Sequence, residues 1–599
     1  MTSQQRNSVE ATIESTKSRT SSIGNPPAYH ASDAVVSPPV PGEPQIRYYG
    51  LALVFLAPAL GGFLYGYDIG ATSFVLSMMK NDRDYDHWWH HFSKVQQGLF
   101  VSCLALGALI GSHIVLVFLA QSIGRRKEIR IAATLYIVGA MLNVMSGTIL
   151  STTTVNKFGF GWGLASLLTG RLLYGAGVGF IMHSAPAYMA EMSPSQVRGA
   201  MVSAKETVIV FGIIIGMLLG DFQSDYPGNW HELYGYSIFF AIPMLLLTFK
   251  IPRSKRWLLM KGYHEEAKES MEFVYTGNVN DEFDKMAETM NSLCCRNTPD
   301  NTSSPDSESV CGASVRNGGG GGDEENESEE NDKPQSLCSW QYRHFIVIGV
   351  GLLMSQQFSG QPCVLAYSRV LFEAAGWGGN TSVVTVTIMG IVSFFTVMLV
   401  DRLGRKTLLA AGSTIMLLSV SALAYGFWGW DDESNEKLSP TNMKIVLVSM
   451  FVFISGYQVG FGPISWTVLS EIYPTEIRGT AMALSVEVNF FFKFLTHLLF
   501  PIIQDFLGWG TTFIAFGIII LAGLLFIIVK VPETKGMSLE EIQLKLKGVS
   551  GQRRNNSKDQ QEFQYENMES FDKDAKKPLA SMLLKKSRQE QPSELPPII

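Results

Sequence analysis

The acid Asp68 lies in the middle of an apolar run from about Gly50 to Met79, and no lysine or arginine interrupts that run. The run is long enough to cross a lipid bilayer, which takes about 20 helical residues. A charge at that depth costs at least about 2.5–3.5 kcal/mol on insertion scales, so an intramembrane acid marks a functional site by default. Asp68 is therefore the first candidate functional group. The structural alternative is an acid that is paired with an arginine elsewhere in the fold.

A second set of charged residues recurs at the ends of apolar runs in both halves of the chain. Its acids and bases could form ion pairs between helices that hold one side of the molecule closed. The arginines could also bind carbonyls at helix ends, or act only as signals for membrane orientation. This candidate gate consists of Arg125, Arg126, Glu191, Arg198, Asp401, Arg405, Glu471 and Arg478.

The composition indicates long membrane segments, and these segments must position the candidate residues. The chain has 599 residues, of which 46% are hydrophobic and only 17% are charged, whereas soluble proteins have about 25% charged residues. The net charge of −6 gives no reason to expect a nucleic-acid partner. The six cysteines show no metal-ligand spacing, and no cofactor-binding loop or nucleophile–base set is present, so we expect neither a metal, a cofactor nor an enzyme.

Twelve apolar runs predict an all-α membrane protein of twelve transmembrane helices. They lie near 50–79, 97–120, 129–150, 162–189, 200–220, 233–251, 343–371, 381–400, 407–429, 443–469, 479–503 and 511–531. The corresponding domains are a disordered tail (1–46), a six-helix bundle (47–251), a central loop with short helices and a Gly-rich acidic linker (252–342), a second six-helix bundle (343–531) and a charged tail (532–599).

An internal repeat relates the two bundles. Gly124-Arg125 matches Gly404-Arg405, and the residues Glu191, Pro194, Arg198 and Gly199 match a second set, all at an offset of 280 residues. That second set is Glu471, Pro474, Arg478 and Gly479. Because six helices separate the equivalents, the repeats run in the same direction, and a substrate is expected between them near the midplane. Lysines and arginines near the membrane ends predict that both tails and the central loop face the cytosol.

With these residues in place, the chain resembles the sugar-porter branch of the major facilitator superfamily over about residues 48–548. Within that branch it looks most similar to plant vacuolar glucose transporters and D-xylose-proton-symporter-like proteins. The motifs that carry the resemblance are Tyr67-Asp68, Gly170-Arg171, Tyr188-Met189-Ala190-Glu191, Arg198-Gly199, Gln356-Gln357-Phe358-Ser359-Gly360, Gly462-Pro463-Ile464-Ser465-Trp466 and Pro532-Glu533-Thr534-Lys535-Gly536.

The resemblance implies that Asp68 carries a proton and that Arg171 is its neighbour. Physically, a guanidinium group beside Asp68 favours the ionised carboxylate, and its departure favours the protonated acid. Since facilitative members lack an acid at this position, the resemblance favours proton symport over uniport.

The resemblance also implies a sugar site. Paired glutamines suit vicinal hydroxyl groups because each amide donates and accepts hydrogen bonds, and a tryptophan can pack under a sugar ring. The implied substrate-binding residues are Gln356, Gln357, Trp466, Asn489, Glu206 and Tyr367. Structural alternatives are hydrogen bonds between helices for the glutamines and an interfacial position for the tryptophan.

Several positions depart from the family pattern. The first-half turn has Gln121-Ser122 where the family has Asp-Arg, and residues 252–256 read Pro-Arg-Ser-Lys-Arg instead of Pro-Glu-Ser-Pro-Arg. Glu206 replaces a sugar-binding glutamine. It could contact sugar, pair with Lys205 or titrate as a second acid. Pro362 replaces a family asparagine and offers no side-chain hydrogen bond.

We therefore expect a multi-pass membrane protein that moves a monosaccharide of the glucose or xylose class by alternating access, with a proton. A facilitative uniporter and a non-transporting sugar sensor remain alternatives. The expected partners are the sugar, the proton and the lipid bilayer, and the oligomeric state is left open. The resemblance favours a vacuolar or other internal membrane, with the plasma membrane as the alternative.

Overall fold

The computed structural model describes residues 45–535 except for 83–86, 120–122, 151–160, 195–196, 278, 281–282, 285, 288–341, most of 375–402, 429–437 and 475–476. Residues 1–44 of the predicted N-terminal tail (1–46), residues 536–599 of the predicted C-terminal tail (532–599) and the acidic linker therefore lie outside the described residues. So do Asp401 and the side chains of Arg198 and Arg478.

The first half consists of six long helices followed by two short ones. They are α1 (Tyr48–Asn81), α2 (Lys94–Ile114), α3 (Arg125–Gly147), α4 (Trp162–Met192), α5 (Arg198–Gln223), α6 (Trp230–Lys250), α7 (Lys255–Met260) and α8 (His264–Glu272). Just before α1, strand β1 (Gln45–Ile46) pairs antiparallel with β2 (Tyr275–Thr276), which follows α8. The end of the predicted tail is thereby attached to the central loop.

The second half contains several broken helices. They are α9 (Arg343–Phe358), α10 (Gln361–Ala366), α11 (Ser368–Ala374), α12 (Arg405–Gly426), α13 (Pro440–Val459), α14 (Phe461–Ile472) and α15 (Arg478–Lys530). The seventh predicted span is α9–α11, which is interrupted at Gly360 (φ +84°). Two predicted spans form α15, which is kinked at Gly508 (φ +76°).

The described residues contain nine helical segments that are long and apolar enough to cross a membrane, with α13–α14 counted as one and α15 as one. The kink in α15 separates two of the predicted spans, and the eighth predicted span, 381–400, lies mostly outside the described residues. The helical membrane architecture predicted from the apolar runs is thus confirmed.

Helix α1 packs closely along α5 through small residues. A Cβ atom added to Gly66 would clash with the backbone carbonyl of Ile209, and one added to Gly216 would clash with that of Tyr67. In a bilayer, where apolar side chains gain little from leaving lipid, such close backbone packing is a main source of helix association. It brings Tyr67 and Asp68 into the buried interior of the first half.

One membrane end of the bundle, which we call the basic face, carries the two repeated turns. Gly124 (φ +72°) precedes α3 and Gly404 (φ +93°) precedes α12. Both have positive φ angles, which L-residues with side chains rarely adopt. The helix ends at Met192, Lys250 and Lys530 lie at the same end, as the alternating direction of consecutive helices requires.

Candidate functional site

Asp68 on α1 and Arg171 on α4 form a buried ion pair between Oδ1 and Nη1, and each residue is only 1% exposed. The structure thus brings together the two residues that the sequence singled out in separate helices. Removing one partner of a buried pair leaves an uncompensated charge, which is strongly unfavourable. The two charges are therefore expected to separate only when one of them is neutralised.

Aromatic and hydroxyl groups surround this pair. Thr72, one turn after Asp68, donates a hydrogen bond of 3.4 Å to Oδ2 and lies 3.2 Å from the hydroxyl of Tyr234 on α6. Arg171 donates from Nε to the carbonyl of Phe100 at 3.4 Å. Its guanidinium carbon lies 5.2 Å from the Phe100 ring centroid and 5.4 Å from that of Tyr234. Arg171 thus has partners other than Asp68.

A lysine from the second half contacts the first half near this site. Lys493 on α15 is 8% exposed, and its Nζ donates to the hydroxyl of Tyr65 on α1 at 2.7 Å. The ammonium group also lies 4.9 Å from the Tyr65 ring centroid. Lys493 is not among the candidate site residues predicted from the sequence. The signal that could have identified it was a lone cation inside an apolar run.

Three amide side chains meet in the second half. Gln357 on α9 donates from Nε2 to Oδ1 of Asn489 on α15 at 2.6 Å. Gln356 donates to the carbonyl of Phe461, the first residue of α14, at 2.8 Å. Oε1 of each glutamine is buried and has no hydrogen-bond partner among the described residues. Since buried polar atoms are normally satisfied, these oxygens suit a polyhydroxylated ligand or water.

The other predicted sugar residues have different environments. The Tyr367 hydroxyl is buried without a hydrogen-bond partner among the described residues, and Trp466 on α14 is partly buried. In contrast, the Glu206 side chain is 50% exposed and forms an ion pair with Lys205 at 3.0 Å. Of the alternatives for Glu206, local pairing with Lys205 is the one seen here.

At the basic face, the first-half gate residue Arg125 has one acidic partner on its own helix α3 and one on α4. Arg125 Nη1 lies 3.2 Å from Glu128, and its Nε lies 3.7 Å from Glu191. Ser254, just before α7, also donates to Glu191. Arg126 makes no ion pair with a described acid and instead donates to the carbonyls of residues 248 and 249 at the end of α6.

The equivalent pair in the second half is shorter. Arg405 donates to Glu471 from Nε at 3.1 Å and from Nη2 at 2.9 Å. Thr534 donates to the other carboxylate oxygen of Glu471 at 2.6 Å. Both gate pairs thus connect helices within one half, and they do not bridge the two halves.

The opposite face carries polar contacts that do connect the halves. Ser77 on α1 donates to both carboxylate oxygens of Glu373 on α11, at 2.6 and 2.7 Å. Arg369 donates to Glu373 at 2.6 Å and lies 3.6 Å from Asp221 on α5. These contacts hold α11 of the second half against α1 and α5 of the first half.

Comparison with known proteins places the chain in a family. The family model described as "Sugar (and other) transporter" matches residues 54–304 and 321–546. These segments include the ion pair, the amide cluster and the gate residues described above.

Two named relatives cover most of the chain. D-xylose-proton symporter-like 3, chloroplastic, of Arabidopsis thaliana is 36% identical over 502 residues, which are 82% of this chain and 82% of that protein. Glucose transporter GlcP of Staphylococcus epidermidis is 29% identical over 507 residues, covering 84% of this chain and 98% of the relative.

Among solved structures, the inward-open conformation of the xylose transporter XylE from E. coli superposes with a TM-score of 0.63 at 22% identity. The superposition covers 82% of this chain and 99% of XylE. At this identity the likeness establishes the fold. The chain therefore belongs to the sugar (and other) transporter family and has the major facilitator fold.

Proposed function

We propose that this protein transports a monosaccharide of the glucose or xylose class by alternating access and couples it to proton movement. The observation that carries the proposal is the buried Asp68–Arg171 pair in one half, together with the Gln356–Gln357–Asn489 cluster in the other. The names of the relatives, which include a glucose transporter and D-xylose-proton symporter-like proteins, support this substrate class.

The proton step follows from the ion pair. When Asp68 is ionised, it holds Arg171 through a charge-assisted hydrogen bond. Protonation of Asp68 removes its charge and weakens this bond. The Arg171 guanidinium then still donates to the Phe100 carbonyl and packs against the Phe100 and Tyr234 rings. The positions of α1 and α4 thereby become dependent on the proton.

The sugar step follows from the amide cluster. Each glutamine has one amide group held by the protein and one oxygen free to accept from a sugar hydroxyl. Trp466 supplies an aromatic face, and the Tyr367 hydroxyl supplies another donor and acceptor. These residues come from α9, α14, α15 and the junction between α10 and α11. A rearrangement of these helices within the half therefore changes the spacing of the residues and hence the sugar affinity.

Alternating access requires each face to close in turn. The contacts of Glu373 and Arg369 join the two halves at the opposite face and would have to break when that face opens. At the basic face, Arg125–Glu191 and Arg405–Glu471 keep the helix ends of each half together. We assign Arg198 and Arg478 to the same gate by the repeat, and Asp401 by its place in the turn before Arg405. Because each pair lies within one half, it keeps the helix ends of that half together while the two halves move relative to each other.

The basic face is assigned to the cytosol because lysines and arginines are retained on that side of membranes. Both tails then lie in the cytosol. An internal membrane is favoured by the family resemblance described above and by the similarity to a relative whose name includes the word chloroplastic. Immunofluorescence of the endogenous protein against organelle markers tests the internal location, and plasma-membrane staining would contradict it.

The decisive experiment measures proton and sugar movement in proteoliposomes of purified protein. Addition of D-xylose or D-glucose should drive proton uptake together with sugar uptake. Asp68→Asn should abolish uphill accumulation and leave sugar exchange, because the variant cannot release a proton but keeps the sugar site. The control is Asp225→Asn, since Asp225 is exposed and forms no ion pair with a described residue.

Three outcomes distinguish the possibilities. Sugar uptake without proton uptake at any pH would establish a uniporter and contradict the coupling. Uphill accumulation by Asp68→Asn at the wild-type level would refute the role of Asp68. Absence of any sugar flux or exchange in protein that is correctly folded would refute transport and favour the sensor.

A further inference from the structure

A cavity of about 90 Å³ lies at the basic face, between the start of α3 and the segment that joins α6 to α7. It is lined mainly by cations: Arg125, Arg126, Lys127, Arg130 and Arg253. Ser254, Trp257 and the Gly124 turn complete its walls. The indole Nε1 of Trp257 is buried and has no hydrogen-bond partner among the described residues.

The internal repeat identifies the counterpart of this cavity in the second half. The offset of 280 residues that relates the two gate motifs also aligns Pro252-Arg253-Ser254-Lys255 with Pro532-Glu533-Thr534-Lys535. The structure supports this alignment, because Ser254 donates to Glu191 as Thr534 donates to Glu471. Arg253 therefore stands where the second half has Glu533.

In the second half, the carboxylate of Glu533 occupies the turn. Its Oε1 accepts hydrogen bonds from the amides of Arg405 at 3.0 Å and Lys535 at 3.1 Å. The Glu533 carboxylate thus supplies an anion at the N-terminus of α12, where the helix dipole favours negative charge. In the first half no described carboxylate contacts the amide of Arg125, and Arg253 adds a further cation.

The charges of the two turns differ accordingly. The first-half cavity has basic residues at positions 127, 130 and 253, whose repeat equivalents are Thr407, Ala410 and Glu533. Among the described acids, Glu128 and Glu191 pair with Arg125, and Glu266 pairs with Arg253. Five cations against three carboxylates leave an excess of two positive charges around the cavity.

We propose that this cavity binds a phosphate-bearing anion, which takes the place that the Glu533 carboxylate holds in the second half. A doubly charged phosphate balances the excess of two cations, and arginine side chains bind phosphate oxygens in a forked geometry. The ligand is either the phosphate of a lipid headgroup or free inorganic phosphate.

The position of the cavity suits a lipid headgroup. Arg126 and Arg130 donate to the Thr248 carbonyl at 2.8 and 3.3 Å, at the end of the membrane helix α6. The Arg130 guanidinium carbon also lies 4.2 Å from the ring centroid of Phe249, which is 58% exposed. Basic pockets at the ends of membrane helices are typical sites for phosphate-containing lipid heads.

The test uses purified full-length protein in a nonionic detergent and measures the melting temperature. Two additions are compared with a chloride control at equal ionic strength: inorganic phosphate, and phosphatidate in mixed micelles against phosphatidylcholine. A bound anion at about ten times its Kd should raise the melting temperature by about 2–4 °C. A response to phosphatidate alone identifies the lipid source, whereas an equal response to inorganic phosphate identifies the soluble one.

The discriminating variant is Arg253→Glu, which introduces the carboxylate that the second half has at the equivalent position, Glu533. It should melt higher than the wild type without added phosphate and should require at least tenfold more phosphate or phosphatidate for the same shift. The matched control is Arg256→Glu, which makes the same charge change at an exposed residue that does not line the cavity. A second variant, Arg130→Ala, installs the repeat's own residue and should also weaken the response.

The proposal is overturned if neither phosphate nor phosphatidate raises the melting temperature of the wild type. It is also overturned if Arg253→Glu and Arg256→Glu weaken the response equally, since diffuse surface charge would then explain it. These readouts do not depend on sugar transport, so failure here leaves the proposed transport function intact.

Discussion

At the scale of single residues, the centre of the molecule contains few charges, and each has a defined partner. Asp68 pairs with Arg171 within the first half, while Lys493 reaches from the second half to Tyr65. Because unpaired charges are costly in this environment, neutralising one of these groups should change the interactions of the others. The contact between Lys493 and Tyr65 joins the two halves, and Tyr65 lies about one helical turn before Asp68 on α1.

The sugar site makes a prediction at this scale. Gln357→Ala removes a buried amide whose oxygen is available to a ligand and frees Asn489 from its partner. Loss of a hydrogen bond worth about 1–2 kcal/mol should raise the half-saturating sugar concentration roughly five- to thirtyfold. Uptake of radiolabelled sugar in proteoliposomes measures this value.

The control for that prediction is Gln504→Ala. Gln504 is also a buried glutamine of the second half, but it lies outside the amide cluster. Its replacement should leave the half-saturating concentration within about threefold of the wild type. Similar increases in both variants would indicate a general packing defect and contradict a sugar-binding role for Gln357.

At the scale of elements, the seam between α1 and α5 positions the proton site. Glycines at intervals of four residues let the two backbones approach, and carbonyl groups fill the space that side chains would need. Asp68 lies between two of these glycines, Gly66 and Gly70. The same close packing that stabilises the first half therefore fixes the depth and direction of the acid.

Gly66→Ala tests this seam. The new methyl group would overlap the Ile209 carbonyl, which cannot move without displacing α5. Overpacking of this kind costs about 1–3 kcal/mol, so the melting temperature should fall by several degrees. Thermal unfolding monitored by tryptophan fluorescence provides the measurement.

Gly517→Ala on α15 is the matched control, because its added Cβ would meet only the Val420 side chain at 3.4 Å. Since alanine favours a helix over glycine by about 1 kcal/mol, this variant should be as stable as the wild type or slightly more stable. If the two substitutions had the same effect, the close α1–α5 approach would not be what limits substitution at Gly66.

At the scale of the whole molecule, the charged contacts described at the two faces connect different parts of the protein. Gate pairs at the basic face tie helices within each half, whereas Glu373 and Arg369 at the opposite face tie one half to the other. The halves can therefore separate at the basic face without breaking either gate pair. Opening of the opposite face requires the contacts of Glu373 and Arg369 to break.

Glu373→Gln should favour opening of the opposite face. The substitution removes the charge that holds both Ser77 and Arg369. A loss of about 1–2 kcal/mol shifts the ratio of closed to open molecules roughly five- to thirtyfold. Spin labels at positions 222 and 428, in a variant without native cysteines, would report longer distances across this face by electron double resonance.

Glu232→Gln serves as the control, because Glu232 contacts only Gln223 and Tyr236 of its own half through the hydrogen bonds described. Its distance distribution should match that of the parent protein. An unchanged distribution in Glu373→Gln would show that the contacts at this face do not hold it closed.

Features that depend on interactions between residues close in sequence were predicted from the sequence, whereas contacts between distant residues were not. Apolar runs predict membrane helices because each helix satisfies its own backbone hydrogen bonds in lipid, and the confirmed fold depended on little else. The repeat predicted equivalent turns because duplicated residues keep their local geometry. The partners of Glu206 and Lys493 were harder to predict. A residue nearby in sequence and a residue of the other half were both possible partners, and only the packing of the helices decides between them.

The sequence by itself determined the membrane helices, their duplication, the family and the short set of polar residues able to act in an apolar interior. Only the tertiary structure decided which of these polar residues meet. Asp68 and Arg171 are 103 residues apart, and Gln357 and Asn489 are 132 apart. Their contacts depend on how whole helices pack, because side-chain partners in a membrane protein are set by helix depth and rotation rather than by local pattern.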